Sequence, residues 1–217
     1  MRTIFITGLC GSDKKSIGSI VAKKLQLPLL DMLKIYLLIT YGLLQEGVTP
    51  DNNNRIIEDC LNALELKVEK EFEGQLAYYC NNEKIDLLDT ATLLPFTMEW
   101  YNNDLFRGKA DEIIGLMCGK ENLVVTALGV EMITRFSPEK FFFLTCDNHS
   151  MALHRLVQSG EEYDEETVNK LERDIEHADF LELYIPDIML KYYPNVIEIN
   201  ITNMMPEEVA DQILSML

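Results

Sequence analysis

The stretch Thr3-Ile4-Phe5-Ile6-Thr7-Gly8-Leu9-Cys10-Gly11-Ser12-Asp13-Lys14-Lys15-Ser16 decides how the rest of the chain is read. Its first five residues are β-branched or aromatic and Gly8 ends them, which is the pattern of a short buried strand. A polar segment follows, after which Ile17, Ile20, Val21 and Leu25 return at helical spacing. A strand that passes through a glycine-bearing turn into an amphipathic helix is the opening unit of an alternating α/β chain.

Outward from this unit the alternation continues. Pro28 closes the first helix, and Leu29-Leu30-Asp31 reads as a second short strand. A helix is predicted from about Lys34 to Gln45, ending at the Gly47/Pro50 turn, and Asp51 with its neighbouring asparagines caps another that runs to about Leu64. Residues 67–89 break the rhythm: Gln75 to Cys80, the polar Asn81-Asn82-Glu83, and Lys84 to Asp89 predict a small β-hairpin inserted between helices. Helical spacing resumes from about Thr92 to Cys118. Leu123-Val124-Val125-Thr126 and Phe141-Phe142-Phe143-Leu144 are strongly apolar runs, each followed by helix-forming sequence. Helices near 148–158 and 164–182 precede a last strand, Val196 to Ile199, and Pro206 opens a closing helix. Strands alternating with helices imply a parallel sheet covered on both faces, with ligands beyond the carboxyl ends of its strands.

Composition bounds the function. The 217 residues suit one domain with a full core, and 47% apolar with 25% charged residues is the make-up of a globular protein. No secretory or spanning segment is expected, because the apolar start is stopped by Gly8 and Ile35 to Leu44 is interrupted by Thr40 and Gly42. Five cysteines at 10, 60, 80, 118 and 146 form no C-x-x-C pair, so reduced thiols in a cytoplasmic protein are expected. A net charge of −17 argues against a nucleic-acid partner, since phosphate backbones require a basic face. The charge is unevenly spread. Residues 1–24 hold five bases and one acid, whereas residues 161–182 hold ten acids and two bases. Only the first of these ends can attract phosphate.

A phosphate-cradling loop reads G-x-x-x-x-G-K-[ST]: glycines let backbone N–H groups converge, lysine reaches the outer phosphates, and the hydroxyl helps hold magnesium. Gly8 and Lys14 stand at the first glycine and the lysine of that pattern. Asp13 replaces the second glycine and Lys15 the hydroxyl, with Ser16 one residue on. A lysine-rich helix start with no special role is the competing reading.

The run from Ile6 to Ile17, with Ala22-Lys23-Lys24-Leu25-Gln26-Leu27-Pro28-Leu29-Leu30-Asp31, resembles the start of the cytidylate kinase family, including a branch whose loop runs G-S-G-G-R-E-I and whose second strand ends in P-x-x-D. The hairpin near 75–89 is similar to the family's β insertion over the monophosphate site. Leu123 to Ile133 resembles its V-V-x-G-R-x-A-D-Y-I turn, and Asn195 to Ala210 its last strand and helix. The resemblance covers nearly the whole chain. It implies an α/β, three-layer P-loop kinase fold in a single domain over residues 1–217, with the small β insertion at 67–89 and a degenerate lid helix at 160–183.

Carried over by residue, the resemblance implies a phosphate-binding loop of Gly8, Gly11, Ser12, Asp13, Lys14, Lys15 and Ser16, with Ser16 assisting magnesium and Lys14, Lys15 and the lid's Arg173 as the catalytic cations. Asp31 and Tyr36 match the D-x-x-x-x-Y of the acceptor site, with Arg107 a further cation for it. ATP and Mg2+ are the implied cofactors and a nucleotide or other small molecule the implied ligand. No nucleic-acid or membrane partner is expected, and these residues set no oligomeric state. Several positions depart from the family. Leu37 stands where it has an arginine to the acceptor phosphate, Met32-Leu33 replace a Ser-Gly pair, and Ala127-Leu128 replace the Gly-Arg of the central turn, with Glu131 as the acidic partner. Lid arginines fall on or near Glu176, His177, Ala178 and Phe180. Arg155 is a remaining candidate for a phosphate or core-bridging role.

These losses bear on rate. Phosphoryl transfer rests on positioning and on cations that stabilise charge on the transferring oxygens, and one arginine can be worth roughly 10³–10⁵ in rate. Asp13 tolerates a left-handed backbone better than most residues, so loop shape can outlast loop chemistry. Three expectations follow: an ATP-dependent transferase acting on a nucleoside monophosphate such as CMP, with activity weak or lost; a pseudokinase serving as a nucleotide-binding or protein-interaction module; or a kinase for a different small acceptor. Simpler readings stand beside them. Asp31 and Tyr36 also fit a strand-end carboxylate and a core aromatic, Trp100, Tyr101 and Phe96 fit core packing, Cys10 fits a small filler, and His149, His154 and His177 lack metal-ligand spacing.

Overall fold

The computed structural model describes residues 2–8, 11–71, 74–85, 89–127, 136, 138–159, 163–178 and 196–217. Its elements in chain order are β1 (Thr3–Gly8), α1 (Lys14–Leu25), β2 (Leu29–Asp31), α2 (Met32–Gln45), α3 (Asn54–Ala63), β3 (Leu66–Lys70), β4 (Leu76–Cys80), β5 (Glu83–Lys84), α4 (Thr90–Trp100), α5 (Asp104–Lys120), β6 (Leu123–Thr126), β7 (Lys140–Thr145), α6 (Asn148–Ser159), α7 (Glu165–Ala178), β8 (Val196–Asn200) and α8 (Pro206–Ser215). Five strands form a parallel sheet in the order β2-β6-β1-β7-β8, and β3-β4-β5 form a small second sheet. This is the α/β, helix-flanked parallel sheet expected of a P-loop kinase fold. The sequence reads as one domain, and the described residues group into two compact units, 26–123 and 2–25 with 124–217.

In the unit made of residues 2–25 and 124–217, β1 is buried almost throughout because Ile4, Phe5 and Ile6 have neighbours on both faces, as the central strand of a parallel sheet requires. It pairs in parallel with β7 from Ile4↔Lys140 to Gly8↔Leu144, and β7 pairs in parallel with β8 from Phe141↔Val196 to Thr145↔Asn200. Phe5 stacks on Phe136 and Phe141 with ring centroids 5.9 and 6.0 Å apart. α1 packs on α8, and Lys24 pairs with Asp211 at their exposed edge. The parallel register brings the carboxyl ends of β1 and β7 level, so Gly8 lies opposite Leu144 and the turn after β1 emerges at that sheet edge.

In the unit of residues 26–123, helix starts are written by side-chain caps. Asp31 accepts from Leu33 N, Asn53 from Ile56 N, Asp89 from Ala91 and Thr92 N, and Asn103 from Leu105 and Phe106 N. The Asp31 cap starts α2 at Met32, two residues before the expected Lys34. The single helical stretch expected from Thr92 to Cys118 is two helices, because Asn103 satisfies the first N–H groups of a new one. The expected hairpin is a three-stranded antiparallel sheet whose extra strand, β3, pairs Leu66↔Cys80 through Lys70↔Leu76. Residues 160–162 and 179–183 of the expected lid helix, Phe180 among them, lie outside the described residues, as do 86–88 of the expected hairpin, Leu9, Cys10, Leu128 and Glu131; the side chains of Glu176, His177 and Ala178 do too.

Among the described residues no helix is long and apolar enough to cross a membrane, and Cys60, Cys80, Cys118 and Cys146 are free thiols. Burial pushes the Cys118 thiol up to about 11, and it raises those of Cys80 and Cys60, helped by the charge of Glu46.

Candidate functional site

The turn after β1 is bent by two left-handed residues, Gly11 at φ +89° and Asp13 at φ +48°. Asp13 therefore does what the glycine of the motif would do: it supplies positive φ, which aspartate tolerates better than a branched residue does. Its carbonyl accepts from Ile17 N at 3.1 Å and so begins the hydrogen-bond ladder of α1. The first turn of α1 carries no acidic residue, and Asp13 stands just before the helix, so no acid within that turn opposes the partial positive charge of its N-terminus.

Lys14 folds back across the turn, and its Nζ donates to Gly8 O at 3.4 Å. Lysine and first glycine thus close a ring around the loop. Lys15 and Ser16 are exposed on the same first turn, and Asp13 is half-buried. Ser12 lies beneath the loop, fully buried, and its Oγ has no hydrogen-bond partner among the described residues. A buried donor in that condition is costly, about 1–3 kcal/mol. A Cβ on Gly8 would come within 2.6 Å of both Ser12 Oγ and Leu144 O, so the absence of a side chain at Gly8 is a steric requirement of the loop.

Helix α6 supports the loop from one side. A Cβ on Gly11 would meet Met151 O at 3.0 Å and the Arg155 side chain at 3.2 Å, and His154 Nδ1 donates to Gly11 O at 3.0 Å. Asp147 caps α6 by accepting from Ser150 N at 2.7 Å, and that bond holds its carboxyl below the usual carboxylate range. Asp147 N in turn donates to Thr202 Oγ at 3.0 Å. Arg173, on α7, donates from Nε to Asn169 O at 3.1 Å on its own helix, and His149 of α6 lies 3.2 Å from Glu172 of α7. His154 and Arg155 thus join the loop from a distant part of the chain. For His154 no local sequence signal exists, because its partner is a backbone carbonyl 143 residues away.

The acceptor-side candidates, in the other unit, are differently placed. Tyr36 is 1% exposed; its ring stacks on Phe106 and meets Tyr101 edge-on, each at 5.6 Å, while Trp100 stacks on Phe106 at 5.8 Å. Leu37 is 2% exposed. Asp31 is buried as the α2 cap, and its charge, after burial, raises the Tyr78 hydroxyl pKa. Lys34 Nζ sits over the Tyr78 ring at 5.6 Å. Arg107 pairs with Asp104 one turn back on α5. Among the described residues no group of three or more His, Cys, Asp or Glu side chains is placed to hold a metal ion.

Comparison of the sequence with known proteins points to one family. The family model described as cytidylate kinase matches residues 4–217. The cytidylate kinase of Fervidobacterium nodosum is 26% identical over 212 residues, covering 97% of this chain and 94% of that protein. That of Halalkalibacterium halodurans is 22% identical over 211 residues, covering 97% and 95%. Among solved structures, shikimate kinase from Acinetobacter baumannii in complex with shikimate is 15% identical, with a TM-score of 0.48 over 100% of this chain and 92% of that one.

Proposed function

The chain belongs to the cytidylate kinase family, and from that premise we propose that residues 8–16 hold the triphosphate of ATP while phosphoryl transfer to a nucleoside monophosphate such as CMP is weak or lost. The observation that carries this reading is the loop itself. Gly11 and Asp13 keep the left-handed bends, and Lys14 Nζ arches back to Gly8 O. Two left-handed bends and a lysine ammonium thus stand at the start of a helix with no acid in its first turn, which is a setting that favours an anion.

These residues fit an anion. Lys14, which donates to Gly8 O, would bind phosphate oxygens more strongly, because there both partners are charged. Lys15 adds a second positive charge from the exposed face of the turn. Ser12 supports the reading as well, because its buried hydroxyl has a hydrogen left to give. Magnesium, when bound, neutralises charge on phosphate oxygens, and Ser16 is the hydroxyl this chain offers it; with no carboxylate cluster among the described residues, most of the ion's shell falls to phosphate and water.

The acceptor side supports weak transfer. Leu37 and Tyr36 are spent on packing, and Arg173 is turned to its own helix backbone. A kinase of another acceptor and a pseudokinase with an interaction role are the alternatives to slow CMP phosphorylation. Thermal unfolding with magnesium and ATP, CMP, or both, followed by a coupled assay for ADP, separates them. Nucleotide at 100 times its dissociation constant stabilises by about 2.7 kcal/mol. A shift with ATP and little ADP is expected. Rapid ADP formation with CMP overturns the loss of transfer, and no shift with any nucleotide overturns nucleotide binding.

A further inference from the structure

We infer that His154 is a positioning residue for the phosphate loop, a latch that holds Gly11 in the anion-accepting bend; its role in binding rests on the nucleotide-binding reading above, but the latch itself does not. A carbonyl oxygen can only accept, so the 3.0 Å contact with Gly11 O requires the proton on Nδ1 of the imidazole. This bond fixes which ring nitrogen donates and ties the middle of the loop to α6.

The geometry around Gly11 makes the tie specific. At φ +89° Gly11 is in a bend that other residues adopt poorly. Its Cα side is packed against Met151 O and the Arg155 stem, at distances that leave no room for a Cβ without displacement. The carbonyl side is held by His154. Gly11 is thus gripped from one helix at two points, by packing and by a directed hydrogen bond. The helix is itself anchored, through the Asp147 cap on Ser150 and the bond from Asp147 N to Thr202. Without the imidazole donor the carbonyl is free to rotate, and the adjoining amides, which must converge on one anion, lose their common direction.

Three variants test this: His154→Ala, His154→Asn and His154→Gln. An asparagine amide nitrogen occupies nearly the place of Nδ1, whereas that of glutamine reaches toward the place of Nε2. Hydrogen exchange of the peptide covering residues 8–17 is read without ligand, with the β7 peptide, residues 140–145, as the control for global stability. Removing one hydrogen bond is expected to speed loop exchange about three- to tenfold in His154→Ala and His154→Gln and to leave the β7 peptide unchanged. His154→Asn restores protection. The apparent affinity for Mg-ATP falls by a similar factor in the same two variants and recovers in the asparagine one. Equal loop exchange in His154→Ala and the parent, or protection by glutamine as good as by asparagine, overturns the latch. Loosened exchange in His154→Ala together with no Mg-ATP binding by the parent sinks the nucleotide reading and leaves the latch standing.

Discussion

The turn after β1 and the residues proposed for the acceptor side differ in what holds them in place. At the turn, Asp13 stands where the phosphate-loop pattern has a glycine and takes a left-handed bend, and Lys14 reaches the carbonyl of Gly8. On the acceptor side the tyrosine remains and its setting is that of a core residue, since Tyr36 lies between Phe106 and Tyr101 with Leu37 buried beside it. Backbone geometry can be kept by any residue that tolerates positive φ, so it survives substitution. A charged contact to a ligand depends on one side chain, and a leucine at that place gains more from burial than from facing solvent.

The largest effect expected from this contrast is at Tyr36. Tyr36→Ala should lose about 3–5 kcal/mol of unfolding free energy in urea, as removal of a buried aromatic does. A stable Tyr36→Ala protein would return that residue to the ligand-facing class. At the loop, Gly8→Ala should cost about 1–3 kcal/mol, because its Cβ would overlap Leu144 O and Ser12 Oγ. Gly108, inside α5, is the counter-case, because a Cβ added there would meet nothing within 4 Å. There Gly108→Ala should stabilise by about 0.5–1 kcal/mol in the same assay.

The cap of the loop-supporting helix gives a pH signature. The Ser150 amide lowers the Asp147 pKa in the folded chain, so the unfolded chain binds the proton more readily and stability rises with pH across that window. The contribution is complete above the ordinary aspartate value, about 4, and is lost as pH falls through the lower folded value. Asp147→Asn keeps an uncharged cap. It should therefore flatten the loss of the urea midpoint as pH falls below about 4 while changing the stability at pH 7 only slightly, by a few tenths of a kcal/mol. An unchanged acid slope would remove Asp147 from the account.

What could be read in the sequence was local. The apolar run before Gly8 and the Ile17/Val21 spacing are patterns of adjacent residues, so β1 and α1 lie where those patterns put them. The start of α5 is written in the sequence by the polar run Asn102-Asn103-Asp104, where the Asn103 side chain accepts from Leu105 and Phe106 N, and reading 92–118 as one helix passes over that cap. Strand β3 is easily passed over because its alternation is short: Leu66 and Val68 set against Lys67 and Glu69, with Lys70 breaking it. The loop residues are legible as a motif, whereas the grip of α6 on Gly11 is not, since Met151, His154 and Arg155 meet it only through the parallel pairing of β1 with β7. Burial of Tyr36 is equally hidden: an aromatic four residues into a helix reads the same whether it faces a ligand or Phe106.

The central claim is that the turn after β1 still seats an anion through Lys14, and calorimetric titration of Mg-ATP into the parent chain and into Lys14→Ala tests it directly. Saturable binding by the parent, weakened about tenfold or more in Lys14→Ala, which is about 1.4 kcal/mol, is the predicted result. Equal affinity in the two proteins, or no heat with the parent at millimolar nucleotide, would contradict it.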